Sequence, residues 1–318
     1  MKLVTYLDDL DMGERLGVLV EEDSRILDVQ SAHQRAFGRS NPNLAAMQAL
    51  IEAGPEELDL VRDLATRADG ADTILRRDAG QLLAPLPRPI QMRDCLCFEE
   101  HLTNAIDGRN RVAGRTERTP EQQRRLELFR SRPFWYKCNR FAFAGPDTVV
   151  QWPAFSIWMD YELELAAVIG RTGRNIPIEA AESYIFGYTI FNDFSARDVQ
   201  NDEMASLGPC RSKDFDNANI LGPCIVTADA FNLADARMEA RVNGERWGGG
   251  STASMNTSFA QLIAFISESE TLHAGELLGS GTVGTGCGLE LGRRLTSGDV
   301  VELEVEGIGI LRNQVVAG

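Results

Sequence analysis

Residues 160–170 read DYELELAAVIG, and no other stretch narrows the possible folds so far. Side chains alternate faces along a β-strand, so Asp160, Glu162 and Glu164 are expected on one face and Tyr161, Leu163 and Leu165 on the other. Side chains two positions apart on a strand stand roughly 6 to 7 Å from each other. At an effective dielectric of about 20, two like charges at that range repel by about 2.5 kcal/mol. A solvated strand edge would tolerate this. The residues that follow, AAVIG, are apolar on both faces, which sends the strand into a core instead. Acids entering a core need a cation and hard divalent ions take oxygen ligands, so the stretch predicts a metal site.

The remaining pattern predicts an α+β, β-rich chain in two segments. LVTYL (3–7), LGVLV (16–20) and SRILDVQ from Ser24 read as strands, and residues 43–53 and 55–68 as helices, with Pro55 in a first turn. Pro85, Pro87 and Pro89 in LLAPLPRPI mark a boundary, giving a small N-terminal α+β domain over 1–84 and a larger domain over 85–318. The first segment holds no cluster of His, Cys and acids and is expected to be structural.

In the second segment, RDCLCFEEHLTNA starts as a strand, and the polar, Arg-rich residues 106–131 lack apolar anchors, as a mobile surface insertion or lid would. PFWYKCNRF is expected to carry Lys137 and Arg140 toward the core. A helix over 178–184 precedes the strand GYTIFND, which ends at Asp193. The polar run NDFSARDVQNDEMASLGPCRSKDF follows, in the usual position of a functional loop. ILGPCIVT, a hairpin at Asn243-Gly244, a helix over 258–266 and two closing strands complete the chain.

A net charge of −15 argues against nucleic acid or an anionic membrane as partner. A small anionic substrate would need a local cluster of Arg, Lys or metal. No apolar run approaches a membrane span and the N-terminus is too acidic for a signal peptide, so a cytoplasmic location is expected. The six cysteines form no CxxC pair and are read as buried free thiols.

GSGTVG (279–284) matches the glycine spacing of dinucleotide-binding folds, but the following CGLELGRRL reads as a strand rather than a helix. The stretch is therefore taken as a loop whose small residues let backbone and Thr282 approach a ligand. Of three histidines, His101 alone lies beside acids, after Asp94, Glu99 and Glu100.

DYELELAAVIG, NDFSARDVQ about thirty residues on, Lys213 and LLGSGTVGTG together resemble the fumarylacetoacetate hydrolase family over roughly residue 90 to the C-terminus. The resemblance implies the family's mixed β-roll/sandwich catalytic domain behind a small N-terminal domain. It also implies one divalent ion, Mg²⁺ or else Mn²⁺ or Ca²⁺, held by Glu162, Glu164, Asp193 and an earlier acid. Asp94 stands seven residues before His101-Leu102-Thr103-Asn104, as that acid does in fumarylacetoacetate hydrolase proper. His101 would be paired with Glu290 of Gly286-Cys287-Gly288-Leu289-Glu290-Leu291. Arg197, Gln200 and Lys213 fall on the family's polar catalytic positions, with Arg197 and Gln200 also contacting substrate. Tyr136 and Thr282 fall on substrate-binding ones. The chain departs from the family at Leu96, where a tyrosine is common, and at Asn104, where the acylpyruvase-like branch has a glutamate.

The function implied is metal-dependent hydrolysis of a C–C bond in a β-diketo acid or acylpyruvate-type substrate by a cytoplasmic homodimer. His101 would act as general base toward water, and Lys213 and the metal would stabilise an enolate. Decarboxylation of an oxaloacetate-type acid and isomerisation of a dienedioate are the alternatives on the same site. A non-catalytic metal-bound scaffold is a further one, disfavoured because a scaffold would not need His101, Glu290 and Lys213 together.

Overall fold

The computed structural model describes residues 1–8, 13–68, 73–77 and 80–318. The strand Leu163–Ile169 lies inside a twelve-stranded mixed sheet and is buried along its whole length. Its side chains divide by parity, as a pleat requires. Leu163, Leu165, Ala167 and Ile169 join one apolar cluster, and Ala166 and Val168 join another. A strand covered on both faces has no solvent face to mark with polar residues, which is why AAVI is a continuous apolar run.

On one side this sheet packs against a five-stranded sheet that supplies Val301, Leu303, Val305 and Leu311 to the shared core. On the other it is covered by the helices Met47–Ala53 and Pro55–Arg67, through Leu50, Ile51 and Val61. The result is an α+β, sheet-rich architecture with no closed barrel among the described residues.

The N-terminal strands Lys2–Asp8, Glu14–Val20 and Arg25–Asp28 form where the sequence predicts them. They extend the same large sheet, because Lys2 and Leu3 pair with Val226 and Ile225 of the strand Asn219–Thr227. A helix over Val29–Phe37 was not anticipated; Asp28 caps it and Gly38, at φ 70°, ends it.

Two expectations fail locally. Residues 106–131 are largely helical, in Glu99–Val112 and Pro120–Ser131, and they do have apolar anchors: Ile106, Leu126 and Phe129 bury one another together with Leu102. Thr119 and Gln122 form a capping box ahead of the second helix, with Pro120 at its first position. The stretch read as a strand after GSGTVG contains instead the short helix Gly288–Leu291.

Candidate active site

Three strands of the large sheet bring three acids together, with the strand Leu277–Gly279 lying between the one that carries Asp94 and the one that carries Glu164. Gly279 pairs with Asp94 in parallel and with Ala166 in antiparallel register, and Leu163 pairs with Asn192. Asp94, Glu164 and Asp193 thus meet over one end of the sheet, each with an oxygen within 4.8 Å of the others'. A Cβ on Gly279 would come 2.7 Å from Asp94 Oδ1 and 3.2 Å from Glu164 Oε2, so the missing side chain is what makes room for the carboxylates. Asp94 Oδ1, Glu164 Oε2 and Asp193 Oδ1 are buried without a hydrogen-bond partner. Burial, then repulsion from Asp94 and Asp193, pushes the Glu164 carboxyl well up. Burial likewise raises Asp94, and lifts Asp193 to about 7 despite the opposing charge of Lys213. Buried, orphaned, hard oxygen donors fit a divalent cation.

Glu162 behaves differently. Burial opposes its ionisation, but Arg197, Lys213 and His101 outweigh burial and hold its carboxyl far below the usual range. Lys213 Nζ donates to Glu162 Oε2 at 2.5 Å and also binds Asp193. Arg197 Nη2 lies 2.9 Å from Glu162 Oε1, off the angle of a hydrogen bond but within ion-pair reach. Both oxygens of Glu162 therefore face cations of the protein, unlike the three acids beside it.

Asp160 does not share their face as the alternation predicted. Met159–Asp160 is a separate short strand paired with Ser195–Ala196. The Asp160 carboxylate accepts from Arg197 Nε at 2.9 Å and from the backbone N–H groups of Gly288 and Leu289 at 2.8 and 2.9 Å. It thereby fixes Arg197 from behind and ties down the segment carrying Glu290. Asp198, an alternative ion-pair partner for Arg197, instead accepts from Ser156 Oγ at 2.6 Å.

That anchored segment matters because Glu290 Oε1 lies 2.7 Å from His101 Nδ1. Glu290 Oε2 accepts from Asn104 Nδ2 at 3.0 Å and from the Thr285 N–H at 2.8 Å. With Nδ1 given to a carboxylate, the free nitrogen of His101 is Nε2, which points toward the acids, 3.9 Å from Glu162 Oε1. Asn104, noted in the sequence only as a departure, is a donor that steadies the glutamate.

Of these groups, Asp94, His101, Glu162, Glu164, Arg197 and Lys213 line one cavity of about 300 Å³, with Tyr136, Gln200 and Thr282 in its wall. Tyr136 donates its hydroxyl to Asp193. Thr282 Oγ1 reaches Glu164 Oε1 at 3.4 Å, and Gln200 Oε1 accepts from Arg197 Nη1 at 2.9 Å. Gly281 turns at φ 71°, and a Cβ there would strike Cys95 O at 2.4 Å, so this loop does approach the site closely. Lys137 is exposed rather than core-directed, and Arg140 donates to Pro89 O away from the acids. Five of the six cysteines are buried, whereas Cys210 is exposed.

Two charged pocket residues are not among those the sequence points to. Arg109 and Arg125 reach the cavity from the helices Glu99–Val112 and Pro120–Ser131. The signal was present for the first. His101, Ala105 and Arg109 are spaced by four, one face of a helix, a spacing that the reading of residues 106–131 as a surface insertion or lid cuts in two.

The fold, the three-acid cluster and the His–Glu pair define a family, and comparison with known proteins agrees. Residues 92–316 match the family described as fumarylacetoacetate (FAA) hydrolase C-terminal. The chain belongs to the fumarylacetoacetate hydrolase family. It is 29% identical over 307 residues to the oxaloacetate tautomerase YisK of Bacillus subtilis, covering 93% of this chain and 95% of that one. To the mitochondrial oxaloacetate tautomerase fahd2 of Xenopus laevis it is 30% identical over 323 residues, covering 99% and 90%. Among solved structures, the fumarylacetoacetate hydrolase of Exiguobacterium antarcticum superimposes with a TM-score of 0.75 over both full chains at 28% identity. No helix among the described residues is long and apolar enough to cross a membrane.

Proposed function

We propose that this protein is a metal-dependent enzyme that interconverts the enol and keto forms of a small 2-keto acid. The observation carrying this reading is the His101–Glu290 pair, whose free Nε2 faces the buried acids in a single small cavity. The nearly full-length likeness to two oxaloacetate tautomerases supports it.

Asp94, Glu164 and Asp193 would hold the divalent ion, with Glu162 beside them. When bound, the ion supplies positive charge that stabilises an enolate oxygen. The protein's own residues do the rest. His101 Nε2 takes or returns the proton on the carbon next to the carbonyl, while Glu290 keeps Nδ1 protonated and the ring oriented. Lys213 and Arg197, fixed by the buried acids, supply the fixed positive field that an anionic substrate needs in a chain of net charge −15. Tyr136, Gln200 and Thr282 would orient the substrate.

Hydrolytic C–C cleavage is the second reading, favoured by the same histidine acting on water. A single experiment separates the two. Mg²⁺-loaded protein is mixed with oxaloacetate, and loss of the enol absorbance is followed alongside product formation; a diketo acid is assayed in parallel. Accelerated enol-to-keto conversion without cleavage is expected, and His101→Ala should lower it by about 10² to 10⁴-fold, the usual worth of a positioned base. Cleavage of the diketo acid with no acceleration of tautomerisation would reject the tautomerase in favour of the hydrolase. The homodimer implied by the family belongs to this proposal, and light scattering that finds a monomer would remove it.

A further inference from the structure

On the Nδ1 side of the His101 ring lies a second group of atoms able to hold a metal. His101, Cys287 and Glu290 are all buried, and each offers a ligand atom within 4.8 Å of the others'. The Cys287 thiol donates to Glu290 Oε1 at 3.4 Å, the same oxygen that lies 2.7 Å from His101 Nδ1. Two donors thus converge on Oε1, while Oε2 is held by Asn104 and the Thr285 N–H. The turn that presents Cys287 and Glu290 is itself fixed, because the Asp160 carboxylate accepts from the N–H groups of Gly288 and Leu289 between them.

This donor set differs from that of the three acids. Carboxylates alone suit a hard ion such as Mg²⁺, whereas imidazole, thiolate and one carboxylate together suit Zn²⁺. Around a tetrahedral zinc, with bonds of about 2.0 Å to nitrogen and oxygen and about 2.3 Å to sulfur, neighbouring ligand atoms stand roughly 3.3 to 3.5 Å apart. The contact between Cys287 and Glu290 already has that length. The one between His101 and Glu290 needs to open by about 0.6 Å, and the imidazole borders the cavity, into which it can move. Charge favours zinc too. A thiolate, a carboxylate and a neutral imidazole leave a Zn²⁺ centre without net charge, as a buried site requires. Burial, then the charge of Glu290, pushes the Cys287 thiol well up, so the metal-free group keeps its proton and yields it to a metal.

We propose that His101 Nδ1, Cys287 Sγ and a Glu290 carboxylate oxygen form a zinc site, distinct from the three-acid cluster and joined to it through the imidazole ring. As the Zn–S bond forms, the thiol proton leaves to solvent; as the Zn–N bond forms, the Nδ1 proton moves to Nε2. Nε2 then has no lone pair with which to take a proton from substrate, so bound zinc stops the transfer assigned to His101. That shut-off rests on the reading above, whereas the binding of zinc does not.

The test is zinc K-edge X-ray absorption on the full-length protein, saturated with Mg²⁺ and then given one equivalent of Zn²⁺. The spectrum should show one sulfur at about 2.3 Å among nitrogen and oxygen neighbours at about 2.0 Å. Cys210→Ser, which removes the exposed thiol, should keep that sulfur and Cys287→Ser should lose it. By calorimetry Cys287→Ser should weaken Zn²⁺ binding about 100-fold or more, since losing even an outer partner costs about 10- to 100-fold. A wild-type shell of nitrogen and oxygen alone overturns the site and leaves the reading above untouched. So does a sulfur that disappears in Cys210→Ser, and these two results decide the matter whether or not Cys287→Ser folds. With oxaloacetate as substrate, zinc should lower kcat by about 10² to 10⁴-fold, as removal of a positioned base does, and leave KM within about twofold. A sulfur shell with undiminished turnover supports the site and removes His101 as the proton carrier of the reading above.

Discussion

Glu162 and Glu164 stand two residues apart, yet their neighbours drive them in opposite directions. Arg197 and Lys213 keep Glu162 ionised, whereas burial beside Asp94 and Asp193 disfavours ionisation of Glu164 unless a cation arrives. Glu164→Gln should therefore weaken Mg²⁺ binding by more than the roughly 10- to 100-fold typical of losing an outer partner, and abolish activity with it; unchanged affinity by calorimetry would remove Glu164 from the metal site. The sign of the pH dependence follows from the same shifts. In the unfolded chain Asp193 ionises near its ordinary value of about 4, while in the folded, metal-free protein it holds its proton up to about 7. The native state thus binds the extra proton between these values, and stability falls as pH rises through that window. Bound Mg²⁺ reverses the penalty, because it needs the ionised carboxylates. Its stabilising effect in thermal unfolding should grow from about pH 5.5 to about pH 8, and a Tm increment that is flat or shrinking over this range would contradict the assignment.

Among the elements, the helix pair Glu99–Val112 and Pro120–Ser131 carries most of the weight of the proposals, since it presents His101, with Arg109 and Arg125 beside it in the cavity. The first helix also packs through Ala105 on Trp158, Cys287 and Leu289, while the second is fastened to it by a small four-residue apolar cluster and by polar ties: Arg118 to Asp107 at 2.7 Å, Gln122 to Asn110 at 2.9 Å, and Arg130 to Glu99. The second helix, with two buried apolar residues, opens at lower free energy than a strand buried on both faces. Amides of residues 106–131 should exchange faster than those of 163–169, and should slow when Mg²⁺ and a keto acid are bound. Equal protection with and without ligand would mean that the pair is a fixed wall rather than a closing one. Phe129→Ala, removing a buried anchor from this cluster, should cost about 3 kcal/mol or more if the site does not collapse, measured as a shift in the denaturation midpoint.

At the scale of the whole molecule, the segments 1–84 and 85–318 share a sheet and a core. Leu3, Val18 and Leu27 from the first bury against Phe191, Leu221 and Ile225 from the second. Separating them would strip apolar surface from the central sheet and leave an unpaired edge on the strand Asn219–Thr227. The proposed division at residue 84 is therefore expected to mark a boundary in sequence and not two independent unfolding units. Calorimetry should give a single transition, and two resolved transitions would restore separate domains.

The amino-acid sequence by itself determined the strands at 3–7 and 16–20, the buried strand after the acids, the turn at Asn243-Gly244 and the family. These are set by local rules, namely alternation, proline and glycine positions, and motif spacing. The same order of motifs also named the acids at 94, 162, 164 and 193, as one set, and the distant partner of His101. Tertiary structure alone decided how the acids divide their work. Asp160 leaves the row because the chain bends between the strands Met159–Asp160 and Leu163–Ile169, and Arg197 and two backbone amides claim its carboxylate. Glu162 and Glu164 look alike in the sequence and differ only in which cations the fold brings to them. That Arg109 and Arg125 meet was hidden for a related reason. Sixteen residues apart in a polar, low-anchoring segment, they become neighbours only when Leu102, Ile106, Leu126 and Phe129 close two helices on each other. Periodicity reports which face of an element is buried. Which elements meet, and so which charges come together, is settled by contacts between residues far apart in the chain.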